Sequence, residues 1–272
     1  MKSKSEGKAV DEGFKEKEKK DRREKLGYFL ASFAILCIVW EAARAIHLVN
    51  PKLFPSILSV LKSCIVMLGN GSLQRHIYGS FMRVVVGFSI GIVLAVIFGF
   101  LIGWFRVIRL FLDPVINFFR SLPPIALIPL MIIFFGIGET SKIIVLVYAS
   151  FFPALVVIYQ SLVSLEPTYI RAGKTLGATD MEIFRKIILP QLVPHIITAC
   201  RVSLGVCWAT LVAAEMIAAQ RGIGAMMVEA QNFFQMAPLV LGILMIGAIA
   251  LIMDGIVRTI ERRVTAWQEK LS

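Results

Sequence analysis

Few side chains in this 272-residue sequence are equipped for chemistry, and they stand apart from one another. His47, His76 and His195 lie near the ends of apolar runs with no carboxylate or cysteine constellation around them, so no nucleophile–base pair is formed. Cys37, Cys64, Cys200 and Cys207 lack CxxC or Cys/His ligand spacing, and three of them sit inside apolar runs, where a thiol behaves as a small hydrophobe. Neither a disulfide nor a metal site is implied. The phosphate-binding pattern G-x4-G-K-[ST] is absent, so this chain is not expected to bind ATP in the usual way. What remains is charge in apolar surroundings, where each ionised group needs a partner or a purpose. Arg201 and Glu215 are fourteen residues apart, close to four helical turns, which puts them on nearly one helix face about 21 Å apart. Arg201 either eases an anion along that face or extends its head group to the interface. Glu215 is a gate or docking contact, or a hydrogen-bond partner for a neighbouring helix. Arg83, Arg120 and Asp254 sit near the ends of apolar runs, and Glu41 and Arg44 are spaced to pair on one helix.

The elements that hold these residues follow from composition. At 57% hydrophobic, 17% charged and net charge +11, the chain is too apolar for a water-soluble domain. Its bases crowd the ends of apolar spans, a pattern of membrane topology rather than of nucleic-acid binding. Runs long enough to cross a bilayer occur at residues 26–45, 81–104, 122–137, 142–162, 196–218 and 238–257. The expected fold is therefore all-α and polytopic, with about six transmembrane helices. Pro123, Pro124 and Pro129 interrupt the third run, predicting a bent or broken helix that begins as early as Leu112. Residues 1–25 mix ten bases with acids and almost no apolar residues, and read as a solvated cytoplasmic tail preceding a transmembrane domain over 26–268. A signal-peptide reading of 26–45 would leave five spans. With the tail inside, Arg106, Arg109, the stretch 171–186 and Arg258, Arg262, Arg263 and Lys270 share its side, so both termini are expected in the cytoplasm. In the second span Gly87, Gly91, Ala95, Gly99 and Gly103 recur every fourth residue, a stripe for close helix packing within the chain or across a dimer seam.

Between two apolar spans lies a polar, basic segment, 164–194. Pro167 suits the first turn of a helix, Gly177 its C-terminal cap, and Thr179 with Glu182 forms a capping box opening a second helix, which Pro190 is expected to stop. On that second helix Ile183, Phe184, Ile187 and Ile188 make an apolar stripe. Spacing alone fits a hairpin lying on lipid as well as a docking element.

Gly177, nine intervening residues and then Ile187-Ile188-Leu189-Pro190 resemble the G-x9-I-x-L-P part of the EAA loop of ABC-importer permease subunits. The stretches Leu53-Phe54-Pro55-Ser56, Arg83-Val84-Val85-Val86-Gly87-Phe88, Leu122-Pro123-Pro124-Ile125-Ala126-Leu127-Ile128-Pro129-Leu130, Phe135-Gly136-Ile137-Gly138-Glu139, Ala213-Ala214-Glu215-Met216 and Arg221-Gly222-Ile223-Gly224 extend the resemblance, within that family, to its sulfonate, taurine, nitrate and bicarbonate branch. The resemblance implies a membrane-spanning importer subunit of the bacterial inner membrane, without catalysis of its own. It implies a cargo of small anions delivered by a solute-binding protein, a homodimer in lipid, and a separate cytosolic ATPase that uses ATP and receives the loop as its coupling helix. Carried onto this chain, the coupling residues are Arg171, Ala172, Gly173, Gly177, Ile187, Leu189 and Pro190, and the candidate lining of the passage is Arg120, Pro123, Pro124, Arg201 and Glu215. Where the motif has Glu-Ala-Ala this chain has Arg171-Ala172-Gly173, which replaces a carboxylate by a guanidinium and leaves a salt bridge of the family unmatched. A neutral solute such as a thiamine-precursor pyrimidine is the alternative cargo. An ion-coupled secondary transporter, the alternative class, would be expected to place carboxylates or unwound helices near the midplane, often in repeated halves, and the sequence shows neither a repeat nor a midplane carboxylate pair.

Overall fold

A computed structural model describes residues 31–46 and 53–265, together with Glu24, Gly27, Tyr28 and Asn50. The expected tail, residues 1–25, lies outside the described residues except for Glu24, as do residues 266–272. Among the described residues there are helices and no strands. The chain divides into two compact units, Met1–Lys62 and Ser63–Ser272.

In the first unit helix α1 covers residues 31–45. The Trp40 indole N–H donates to the Pro55 carbonyl at 3.0 Å, and its ring centroid lies 4.5 Å from that of Phe54. Glu41 pairs with Arg44 at 3.4 Å, as their spacing predicts, and accepts the Ile57 N–H at 2.9 Å. The carboxylate thereby satisfies a first-turn donor of helix α2 (Ile57–Gly69).

The second unit continues with α3 (Ser72–Trp104), α4 (Arg106–Ser121), a 3₁₀ turn (Pro124–Leu127) leading into α5 (Ile128–Phe135), and α6 (Glu139–Val163). The hairpin helices α7 (Pro167–Thr175) and α8 (Asp180–Ile183) follow. A π-helical turn (Phe184–Ile188) then runs into α9 (Leu189–Ala218), before α10 (Ile223–Asn232) and α11 (Met236–Val264). Helix α6 is the centre of this unit, packed on one side by α3 and on another by α9. The small-residue stripe of α3 explains the closeness of the first contact. A Cβ at Gly87, Gly91, Gly99 or Gly103 would fall 2.5, 2.0, 2.7 and 2.3 Å from Leu146, Ser150, Ile158 and Leu162 of α6. Those partners are themselves spaced in fours, so two rows of matching period lie against each other. The stripe is used within the chain.

Among the described residues four helices are long and apolar enough to cross a bilayer, namely Ser72–Trp104, Glu139–Val163, the continuous Asp180–Ala218 and Met236–Val264. A fifth span exists if Arg106–Ser121 and Pro124–Phe135, bent by 84° at their junction, are one broken crossing. The expected six-span count is thus not reproduced among the described residues. Its first member is described as helix over 31–45, with Leu26, Phe29 and Leu30 outside the described residues. The third was placed at 122–137, whereas a helix ends at Ser121 and chain direction turns at Leu122 and Pro123. Proline without a donor and with a fixed φ breaks the run there, as expected, but the apolar residues before it already form their own helix. Tyr159 of α6 secures that helix by donating to Asp113 Oδ1 at 2.9 Å, and Tyr148 donates to the Phe119 carbonyl.

Replacing Gly91 by Ala should destabilise the protein by about 1–3 kcal/mol through overpacking against Ser150. Gly247→Ala on α11, where a Cβ meets nothing within 4 Å, should be neutral or mildly stabilising. Thermal denaturation of the detergent-solubilised variants checks the contrast.

Candidate functional site

The polar hairpin is built by local capping. Helix α7 starts at Pro167, whose missing N–H is one that no intrahelical bond needs, and ends where Gly177 takes φ +78°. The Ala178 N–H reaches the Gly173 carbonyl at 3.0 Å and the Gly177 N–H reaches that of Lys174 at 3.0 Å, a Schellman closure. Two residues later Thr179 opens α8 with the expected capping box, its side chain accepting the Glu182 N–H at 3.3 Å while Glu182 accepts the Thr179 N–H at 3.0 Å. Ile183 and Ile188 are buried with Leu162 and Leu192, so the predicted apolar stripe packs against the C-terminal end of α6 and the N-terminal end of α9. Phe184 meets Trp104 and Phe100 of α3 edge-on at 5.8 and 5.3 Å. Arg171, Lys174, Arg185 and Lys186 are exposed, as are two apolar side chains flanking the tight turn, Leu176 at 87% and Met181 at 65%.

One expectation fails here. Pro190 does not stop the second helix, which runs on through α9 to Ala218. The π-helical turn at Phe184–Ile188 absorbs the disruption, leaving Pro190 in the first turn of a renewed α-helix where its ring is tolerated.

At the opposite end of α6 and α9 lies a cluster that spacing did not reveal. Arg83 of α3, its side chain 7% exposed, holds two carboxylates at once. Its Nη1 donates to Glu215 Oε1 at 2.6 Å, and its Nε and Nη2 donate to both oxygens of Glu139 at 2.6 and 2.7 Å. Nη1 also donates to the Arg221 carbonyl at 2.7 Å. Glu215, fully buried, accepts further from the Ser80 hydroxyl at 2.8 Å and from the Gly224 N–H at 2.9 Å. The Ser80 oxygen accepts the Ile223 N–H at 2.8 Å, and His76 Nδ1 lies 2.9 Å from the Gly222 carbonyl oxygen and 3.2 Å from its nitrogen. Gly222 has φ +137°, and a Cβ there would fall 2.3 Å from the Glu215 carboxyl carbon, so the loop can wrap the carboxylate only with glycine at this position. Lys142, one turn into α6, reaches Glu139 at 3.3 Å.

The candidate passage residues do not form one site. Glu215 belongs to the cluster just described. Arg201, on the same helix, faces α11 instead, with Nε 2.9 Å from Asp254 Oδ1 and Nη1 3.5 Å from Glu261 Oε2. Its guanidinium is thus shared by two carboxylates of α11. Arg120 ends α4 and is exposed, while Pro123 and Pro124 form the 84° break, whose 3₁₀ turn packs on α6 and α9.

Several apolar helices long enough to cross a bilayer, charges compensated between helices, and a polar hairpin presented at one end define a multi-pass membrane protein. Residues 87–266 match the family of binding-protein-dependent transport system inner membrane components, and the chain belongs to that family. It is 41% identical over 245 residues to a probable ABC transporter permease protein of Brucella abortus (strain 2308), covering 90% of this chain and 97% of that one. It is 35% identical over 243 residues to the taurine transport system permease protein TauC of Escherichia coli (strain K12), covering 88% of each. A chain of the MetNI methionine ABC transporter matches the fold with a TM-score of 0.62 at 20% identity, over 71% of this chain and 96% of that one. This chain is the permease subunit of an ABC importer, a multi-pass inner-membrane protein; its family works with a solute-binding protein and a separate ATPase subunit.

The residues that sequence reasoning missed are the partners. Ser80 and His76 carried no signal beyond a shared helix face with Arg83. Glu139 and Gly222 were noted in matching stretches, yet Glu139 reaches Arg83 across 56 residues of sequence and Gly222 reaches His76 across 146. Ser80→Ala should cost about 1–3 kcal/mol, because it strips a donor from buried Glu215 and leaves the Ile223 N–H unpaired. Arg201→Ala should cost less, since its pair is one-third exposed. The midpoints of thermal denaturation of the two variants test the order.

Proposed function

We propose that this permease subunit imports a small oxyanion, most directly an aliphatic sulfonate, working as a homodimer in the lipid bilayer with two copies of a cytosolic ATPase. The α7–α8 hairpin is its docking element, with Arg171, Ala172, Gly173, Gly177, Ile187, Leu189 and Pro190 as the residues that shape or present it. The observation that carries this reading is the rigid closure of the hairpin at Gly177, which holds exposed Leu176 and Met181 out between basic side chains while its other face is anchored on α6 and α9. ATP binds to the partner and not to this chain. Closure of the ATPases would draw paired hairpins together and tilt α6 and α9 as rigid bodies, alternating the access of a central passage. The name of the taurine permease relative supports the sulfonate cargo. Arg171 in place of the motif's glutamate calls for an acidic partner on the ATPase. The Lys/Arg asymmetry of the sequence supports a cytoplasmic side for the hairpin and both termini.

Gly177→Leu should weaken capture of the ATPase by the solubilised permease, because a Cβ resists φ +78° and the closure would shift. Undiminished capture contradicts the docking role. For the cargo, vesicles holding the full complex should accumulate radiolabelled ethanesulfonate in an ATP-dependent way. If no sulfonate, nitrate or bicarbonate is taken up, the anion reading fails and a neutral solute takes its place.

Orientation has its own check. In a background without native cysteines, Ser3→Cys should resist an impermeant thiol reagent in intact cells and Gly71→Cys should react. Labelling at the first position overturns the assignment of sides.

A further inference from the structure

A cavity of about 420 Å³ opens beside the Arg83 cluster, walled by Arg75, Tyr78, Met82, Arg83, Glu139 and Arg221. This size falls within the roughly 300–1,000 Å³ of small-molecule sites. Its charge is one-sided, with three guanidinium groups against one carboxylate. Among the described residues, no carboxylate lies within ion-pair distance of Arg75 or Arg221, both of which are exposed; Arg75 Nε donates only to the Gly71 carbonyl, at 3.2 Å.

The two carboxylates on Arg83 are not equivalent. Glu215 is fully buried and held by two further donors, whereas the Glu139 side chain is 60% exposed and sits on the cavity wall. Glu139 takes Arg83 through two parallel N–H···O bonds, the fork by which a guanidinium binds any oxyanion of matching geometry. One carboxylate is thus fixed and the other exchangeable.

We propose that this cavity binds a singly charged oxyanion head group on an aliphatic chain, held by Arg75, Arg221 and the face of Arg83 that Glu139 otherwise occupies. Glu139 is a tethered stand-in that keeps Arg83 paired while the cavity is empty and remains beside Lys142 when an anion displaces it. Tyr78, Met82, Val86 and Ile143 supply an apolar wall for the chain of the ligand. The built-in competitor keeps affinity low, which a passage requires if its cargo is to leave again. An alkanesulfonate and the phosphodiester of an anionic phospholipid share this chemistry; the solute source rests on the importer reading above.

The test uses the complete permease–ATPase complex, without binding protein, in phosphatidylcholine nanodiscs, with radiolabelled ethanesulfonate as the probe in equilibrium dialysis. Variants Arg75→Ala/Arg221→Ala and Glu139→Gln are first shown to be monodisperse and to keep the wild-type thermal transition closely enough to be folded. Wild type should bind at roughly millimolar concentration, the arginine double variant about tenfold more weakly and Glu139→Gln about tenfold more tightly. A second arm replaces part of the lipid by phosphatidylglycerol. If that lipid abolishes ethanesulfonate binding, and its retention measured by mass spectrometry depends on Arg75 and Arg221, the oxyanion site belongs to a lipid head group. Binding of neither probe, or equal binding to wild type and all variants, overturns the proposal. Sulfonate uptake by wild type that the arginine double variant leaves unchanged sinks this site and spares the importer reading. Arginine-dependent lipid binding without any sulfonate uptake does the reverse.

Discussion

A guanidinium almost sealed from solvent has to be neutralised where it sits, and Arg83 imposes that requirement on three other helices. Loss of hydration is costly in a low-dielectric interior, and attraction offsets the cost only when every donor and acceptor is met. The chain meets the condition with a carboxylate from the start of α6, another from the end of α9, a hydroxyl one turn away on α3, and the glycine loop entering α10. Apart from the half-exposed Glu139, none of these groups can move far alone without exposing the charge of another. The stripe of glycines beneath then lets α3 lie against α6 closely enough for the arms to reach.

That arrangement gives the bundle two different ends. Helices α6 and α9, of 25 and 30 residues, run from the charge cluster to the hairpin, about 38 and 45 Å. At the hairpin end the contacts are apolar and aromatic, made by Ile183, Phe184 and Ile188 against α3, α6 and α9. Such packing is non-directional and tolerates small rotations, whereas forked hydrogen bonds are directional. A displacement applied at the hairpin is therefore expected to pivot about the charged end. This is the mechanical content of the proposed function, and it assigns the rigid end to chemistry and the compliant end to packing.

Much of the architecture was legible in the sequence because the bilayer demands long apolar runs, and local capping follows local rules. The runs beginning near 81, 142, 196 and 238 became α3, α6, α9 and α11, and Thr179, Glu182 and Gly177 cap as their types predict. Helices α2 and α10 were not anticipated, being short and not long enough to cross a bilayer. Pro190 misled because the effect of proline depends on how the preceding turn is wound, and a π-helical turn is not encoded in a pattern of types. The site was the least legible part. Arg201 and Glu215 share a helix face, yet one pairs with α11 and the other with α3, a division set by which helices pack beside α9 and not by their spacing.

The central claim is that mutual charge compensation, and not the mere presence of either group, holds the cluster end together. It is tested most directly by a double-substitution cycle with Arg83→Met and Glu215→Met, read as midpoints of thermal denaturation of the solubilised permease. Arg83→Met strands the buried carboxylate of Glu215, and Glu215→Met leaves the buried Arg83 with only the half-exposed Glu139; each should lower the midpoint, while the double replacement should recover much of the loss, with a coupling of at least about 2 kcal/mol. A double variant whose loss equals the sum of the two singles would contradict the account.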